Sequence, residues 1–227
     1  TALTEMHGVR WVEARAPFHS MNRWGVGSMQ RLAGADQSRI TFPLRGKNQF
    51  FSISDTGIET ATCFFADTRA VPVTSTQKVP TDTQHRKVRA YWSGSGGDFR
   101  DQGPAGGHGT HVAGIAAGSD TGNARNFSGG APDSRLVFID LHPANAANAF
   151  LDVPLQIDKS LFQWSHDVGA RVHSASWGGD AGGRYTADEQ AIDRFIWNNR
   201  YFVAAFAAGN AGPQAGSIAS PANSKNV

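Results

Sequence analysis

From residue 49 onward, short apolar runs of strand character alternate with segments of helical period, and this alternation leaves few architectures open. "QFFSIS" (49–54) is aromatic and alternating, and it ends at Asp55-Thr56-Gly57. "HRKVRAYW" (85–92) and "RLVFIDL" (135–141) have the same character, the second reading as a buried strand. Between Pro154 and Gly169, residues Ile157, Leu161, Trp164 and Val168 recur at helical spacing, with Gly169 as the stop. "ARVHSASW" (170–177) is extended again. Thr186 and Glu189 then form a capping box ahead of a helix that turns Ile192, Phe195 and Ile196 to one side. "YFVAAFAAG" (201–209) returns to a strand. Strand–helix alternation of this kind predicts parallel βαβ units: an α/β fold with a doubly wound, mostly parallel sheet and helices on both faces. In such sheets ligands bind past the carboxyl ends of strands. Those ends here carry Asp55, Ser176-Trp177-Gly178 and Gly209-Asn210.

Bulk properties exclude some function classes. The chain has 227 residues, 40% hydrophobic and 18% charged, enough for one large core and unlike a disordered segment. A net charge of +2, with basic and acidic residues intermixed, provides no basic stripe for nucleic acid. No apolar run approaches the ~18 residues of a membrane span. The single cysteine, Cys63, cannot form a disulfide within the chain, and beside Phe64 and Phe65 it reads as a small buried hydrophobe.

The stretch "GGHGTHVAGIAAG" (106–118) sets His108 and His111 three apart at the head of a helix. Three chemistries compete for it. A zinc pair would need further ligands, yet Gly109 stands where a metalloprotease has its glutamate, and no Cys-x-x-Cys accompanies it. A dinucleotide cradle would need a third glycine where Val112 stands, and a strand before it where "GDFRDQGPAGG" reads as loop. A general base needs an orienting carboxylate and donors for an oxyanion. Asp55 in "ISDTGI" and Asn210 in "AAGNAGP" have the right chemistry, although each alone also reads as an ordinary turn residue.

Taken in order, "DTGI", "GHGTHVAG", "SWGG" and "AAGN" resemble the subtilisin-like serine proteases, the subtilases, over roughly residues 45–227. "GARVHSASWG", "FAAGNAGP" and "ASPANSKNV" are most similar to the oxidatively stable alkaline protease branch. The resemblance implies a serine endopeptidase in which Asp55 orients His108, His108 moves the nucleophile's proton, and Asn210 stabilises the oxyanion. It implies that Ser176, Trp177 and Gly178 pair with the substrate backbone. Gly178, Gly179, Ala207, Ala208 and Gly209 would wall the pocket for the side chain before the cut bond. Small residues Gly109, Ala113, Gly114, Ala116 and Ala117 would let the His108 helix sink inward, with His111 a packed structural histidine.

The family's Gly-Thr-Ser-x-Ala-x-Pro nucleophile stretch has no counterpart in these 227 residues. "GVGSMQ" (25–30) precedes the aspartate and lacks the proline. The expectation is therefore the N-terminal portion (25–227) of a subtilisin-like catalytic domain, incomplete at its C-terminus and inactive alone. The nucleophile would come from a C-terminal remainder. Residues 1–24 form a lead-in in which "GVRWVEARAP" resembles a propeptide tail. Two other readings stand beside this one: an inactive subtilase-fold scaffold, and a zinc-dependent hydrolase using His108 and His111. The resemblance further implies a peptide or protein substrate, secretion, no cofactor for the chemistry, and structural calcium. "GGDFRDQG" (96–103) is oxygen-rich, without a recognised calcium pattern. Asn126-Phe127-Ser128 is a glycosylation sequon.

Overall fold

The computed structural model describes residues 44–68, 74–75, 82–93, 99–101, 106–121, 127–143 and 151–227. The lead-in 1–24, the "GVGSMQ" stretch and Asn126 of the sequon lie outside the described residues. Strands β1 (Phe50–Asp55), β2 (Thr74–Ser75), β3 (Val88–Ser93), β4 (Arg135–Asp140), β5 (Val172–Ala175) and β6 (Val203–Phe206) form one sheet. Its order is β2-β3-β4-β1-β5-β6, and every described pairing is parallel. The alternation in the sequence thus has its expected outcome.

Strand β4 shows why helices must cover both faces. Its successive side chains point to opposite sides of the pleat. Leu136 and Phe138 join Ile53, Val88 and Tyr91 under helix α1 (His108–Ala117), which contributes buried Ala113 and Ala117. Val137 and Ile139 face the other way, into a cluster with Leu161, Phe162 and Trp164 and with Ile192 and Phe195 of helix α3 (Ala187–Asn198). The capping box holds at the start of α3: the Thr186 amide donates to Glu189 Oε2 at 2.6 Å, and the Thr186 hydroxyl accepts at the helix start.

The expected helix between Pro154 and Gly169 forms with a difference. A π-helical turn, Asp158–Phe162, runs into a short α-helix, α2 (Gln163–Asp167). The wider turn lets neighbouring Leu161 and Phe162 both enter the core, where each is fully buried. Gly169 stops the segment at φ 106°, a left-handed conformation that favours glycine. Cys63 departs from expectation. It is exposed, because the turn joining the Phe65 and Ala66 amides to the Thr62 carbonyl directs Phe65, not Cys63, into the core. No helix among the described residues is long and apolar enough to cross a membrane.

The chain leaves β1, works back through β2 and β3 to β4 on one side, then crosses to β5 on the other. Strand β1 is therefore the switch point, and a crevice opens past the carboxyl ends of β1, β5 and β6.

Candidate active site

Asp55 is the last residue of β1, with no solvent exposure. Its Oδ1 accepts from His108 Nδ1 at 2.6 Å and from the Thr56 amide at 2.8 Å. Its Oδ2 is buried and receives no hydrogen bond. Burial accordingly pushes the Asp55 carboxyl above the usual carboxylate range, while the His108 and Thr56 contacts pull it back. The carboxylate accepts, so His108 carries its proton on Nδ1. The other ring nitrogen makes no hydrogen bond to a described residue, and the side chain is about half exposed (48%).

Close approach of α1 to β1 makes this pair. A Cβ on Gly109 would lie 2.2 Å from the Gly57 carbonyl oxygen and 3.2 Å from Asp55 Cβ, so only glycine fits. The helix begins at Gly107 (φ 90°), which has no side chain to cap it. Two distant groups take over that task. Thr56 Oγ1 accepts from the Gly109 amide at 2.9 Å and donates to Asp101 Oδ1 at 2.7 Å. Asp101 Oδ2 accepts from the Thr110 amide at 2.7 Å, which sets a negative charge against the positive helix end. Sequence reasoning gave Asp101 no role, and its local pattern held no signal for one. Two expectations about α1 fail. A Cβ on Gly114 would meet nothing within 4 Å, so that glycine is not what lets the helix sink. His111 is exposed rather than packed, since it lies on the helix face away from the sheet.

His108 opens onto a cleft of ≈ 1180 Å³. Ser176, Trp177, Gly178 and Gly179 line one side of it, and Ala207, Gly209 and Asn210 another. The Trp177 indole N–H donates to the Ser54 carbonyl at 3.0 Å, which ties this segment to β1 beside Asp55. Asp55 itself sits behind His108 rather than on the cleft surface. Ala208 is not a lining residue either; its carbonyl accepts from the Ala219 amide at 2.9 Å and holds the wall in place. Ala219 and Ser220, from the "ASPANSKNV" stretch, complete that wall, a place the sequence alone did not indicate. Gly179 and Ser220 form an antiparallel bridge. A Cβ on Gly178 would stand 2.8 Å from the Ala219 methyl. Asp180 and Asp188 add carboxylates to the lining.

The subtilase family model matches residues 46–227, all of the site included. The chain belongs to the subtilase family. Its relatives include the serine protease/ABC transporter B family protein tagD of Dictyostelium discoideum, 36% identical over 237 residues. That alignment takes in 99% of this chain and 12% of tagD. The related tagB of the same organism is 34% identical, over 92% of this chain and 11% of that protein. This subtilase chain thus spans about a tenth of the length of these curated relatives. Among solved structures, the psychrophilic subtilisin-like protease Apa1 from Pseudoalteromonas sp. AS-11 matches with a TM-score of 0.56 at 22% identity. The match covers 80% of this chain and 35% of Apa1, and it shows a shared fold.

Among the described residues no group of three or more His, Cys, Asp or Glu side chains is gathered closely enough to share a metal ion. Asp101, the described carboxylate of the oxygen-rich loop, has its two oxygens hydrogen-bonded to Thr56 and Thr110.

Proposed function

We propose that this subtilase chain supplies the base and the oxyanion donor of a serine endopeptidase, with the nucleophilic serine on polypeptide beyond these 227 residues. In this reading Asp55 holds His108 in the Nδ1–H form and stabilises its imidazolium. As the serine oxygen adds to the peptide carbonyl carbon, its proton passes to His108 Nε2. The proton then goes to the leaving amine as the C–N bond breaks, and water releases the acyl group by the same route. The Asn210 amide donates to the oxygen that becomes negative. Ser176, Trp177 and Gly178 offer backbone groups to an extended peptide, and Gly179, Ala207 and Gly209 shape the pocket, with Ala208 holding its wall from behind. No metal or cofactor takes part; structural calcium and a secretory location rest on the resemblance alone.

The observation that carries this reading is the 2.6 Å contact between buried Asp55 and a His108 that faces a cleft shared with Asn210. The test is fluorophosphonate labelling and peptide hydrolysis by the full-length protein. Wild type is expected to label on a serine outside residues 1–227, and His108→Ala to abolish labelling. Asn210→Ala is expected to slow turnover by ~100- to 1000-fold, the magnitude known for the oxyanion asparagine of the relative subtilisin. Full-length protein that never labels would favour the scaffold reading. Chelator inhibition reversed by zinc would favour a metallohydrolase instead. Substrates with Phe or Leu before the cut bond are expected to outrun those with Asp, given the alanine and glycine walls and the carboxylates of Asp180 and Asp188.

A further inference from the structure

Strand β1 carries serines at 52 and 54, on the face that packs against α2, where buried apolar side chains are the rule. Ser52, Ser54, Ser165 and His173 are all fully buried. Placing three hydroxyls and an imidazole in a core is costly unless every one is hydrogen-bonded, and a fully satisfied set fixes geometry more tightly than apolar packing does. Here each one is satisfied.

The direction of every bond follows from its two ends. Leu161 offers only a carbonyl, so Ser165 Oγ donates to it at 2.7 Å. That uses the Ser165 proton, so Ser52 donates across the 2.7 Å contact to Ser165. Ser52 can then only accept from His173 Nδ1, at 2.9 Å, with Ser165 a second neighbour of that nitrogen at 3.4 Å. The proton is thereby on Nδ1, and Nε2 accepts from Ser54 Oγ at 2.9 Å. At the far end the Trp177 indole, which can only donate, shares its one N–H between the Ser54 carbonyl at 3.0 Å and Ser54 Oγ at 3.1 Å. A donor-only group and an acceptor-only group thus close a one-way chain through two strands and a helix.

We infer that His173 is a positioning residue: through Ser54 it pins Trp177, and with it the Ser176–Gly178 edge, at a fixed place beside Asp55. This rests on the proposed role of that edge in holding an extended peptide. Ser54 touches neither substrate nor reacting atoms; it acts through Trp177.

Two measurements on the full-length protein test the inference separately from the protease reading. In ¹⁵N-histidine-labelled wild type, the His173 ring is expected to show a protonated Nδ1 and an unprotonated Nε2, unchanged between pH 5 and pH 9. An Nε2–H ring, or one that titrates in that interval, overturns the chain whatever the activity. In kinetics, Ser54→Ala is expected to raise KM for extended peptides by about threefold, the low end of what one hydrogen bond carries, because the Ser54 carbonyl keeps its share of the indole N–H. It should leave kcat, and the hydrolysis of a single-residue ester, unchanged. Ser54→Thr, which restores the hydroxyl, is expected to recover KM. Equal losses on peptide and ester, or no recovery by threonine, would reduce the network to a packing role. His108→Ala abolishes both activities if the protease reading holds, so failure of that reading is visible apart from failure of this one.

Discussion

The Asp55 carboxyl is held where the folded protein disfavours its charge. Its buried Oδ2 lacks a donor, and burial raises its pKa above the ordinary 3.8. For a carboxyl raised on folding, the stabilising contribution is present below the unfolded value and lost as pH rises through the folded one. Asp55→Asn is therefore expected to melt higher than wild type at pH 7, with the gain vanishing in acid where wild type is protonated. Thermal melts at pH 3.5 and pH 7 check this, and a variant destabilised at both would contradict it. The same variant is expected to lose most hydrolytic activity, by about 10⁴-fold in the analogous aspartate-to-asparagine change of another serine protease. Stability and chemistry pull against each other at this residue. The sequence pointed to Asp55 and His108 through motif order. It could not show that Thr56 and Asp101 cap the histidine's helix, because those contacts join residues 45 and 9 positions apart across a loop.

Helix α1 contains two glycines with unlike duties, and only packing distinguishes Gly109 from Gly114. At 109 a methyl group would strike the Gly57 carbonyl and lift the helix from β1. At 114 it would point into open space. Gly114→Ala is expected to stabilise the domain by ~0.5–1 kcal/mol, the ordinary helix-interior gain, without changing activity. Gly109→Ala is expected to destabilise it and to lower activity by more than about 100-fold, because a shift of about an ångström at the base disrupts attack geometry. Denaturant unfolding and peptide hydrolysis of the pair decide the matter, and matching behaviour would refute the packing argument. In the sequence both are simply small residues in "HGTHVAGIAA". The capping box and Gly169 were legible because their information is local, within three or four residues. The π-helical turn was not, since its cause is the joint burial of Leu161 and Phe162 against α3 and β6.

At the scale of the fold, two buried bases among the described residues, Lys87 and His173, shape the pH response. Lys87 is 2% exposed, donates to the Pro132 and Ser134 carbonyls, and is pushed down to about 7 by burial. His173 is pushed down to about 3 by burial alone. Both groups bind a proton more readily once the chain unfolds. For a depressed group, stability is fully present above the unfolded pKa and lost as pH falls through the window down to the folded one. Unfolding free energy is therefore expected to rise with pH at ~1.4 kcal/mol per unit between pH 7 and 10, from Lys87. A similar slope from His173 is expected below 6.5, opposed in part by Asp55. Urea unfolding at pH 7, 8 and 9 tests the alkaline slope, and Lys87→Met should flatten it. A slope that Lys87→Met leaves unchanged would show Lys87 to be charged in the fold.

Strand–helix alternation and four ordered motifs determined the parallel α/β class, the family and the residues of the candidate dyad, because periodicity and short motifs are carried by neighbours in the chain. Tertiary structure alone decided which cysteine neighbour reached the core, which glycine had to be glycine, and which carboxylate capped the histidine helix. It alone gave the serines of β1 their partner in His173. Each of those outcomes depends on what a side chain meets after the sheet closes, at a distance in sequence over which no local pattern extends.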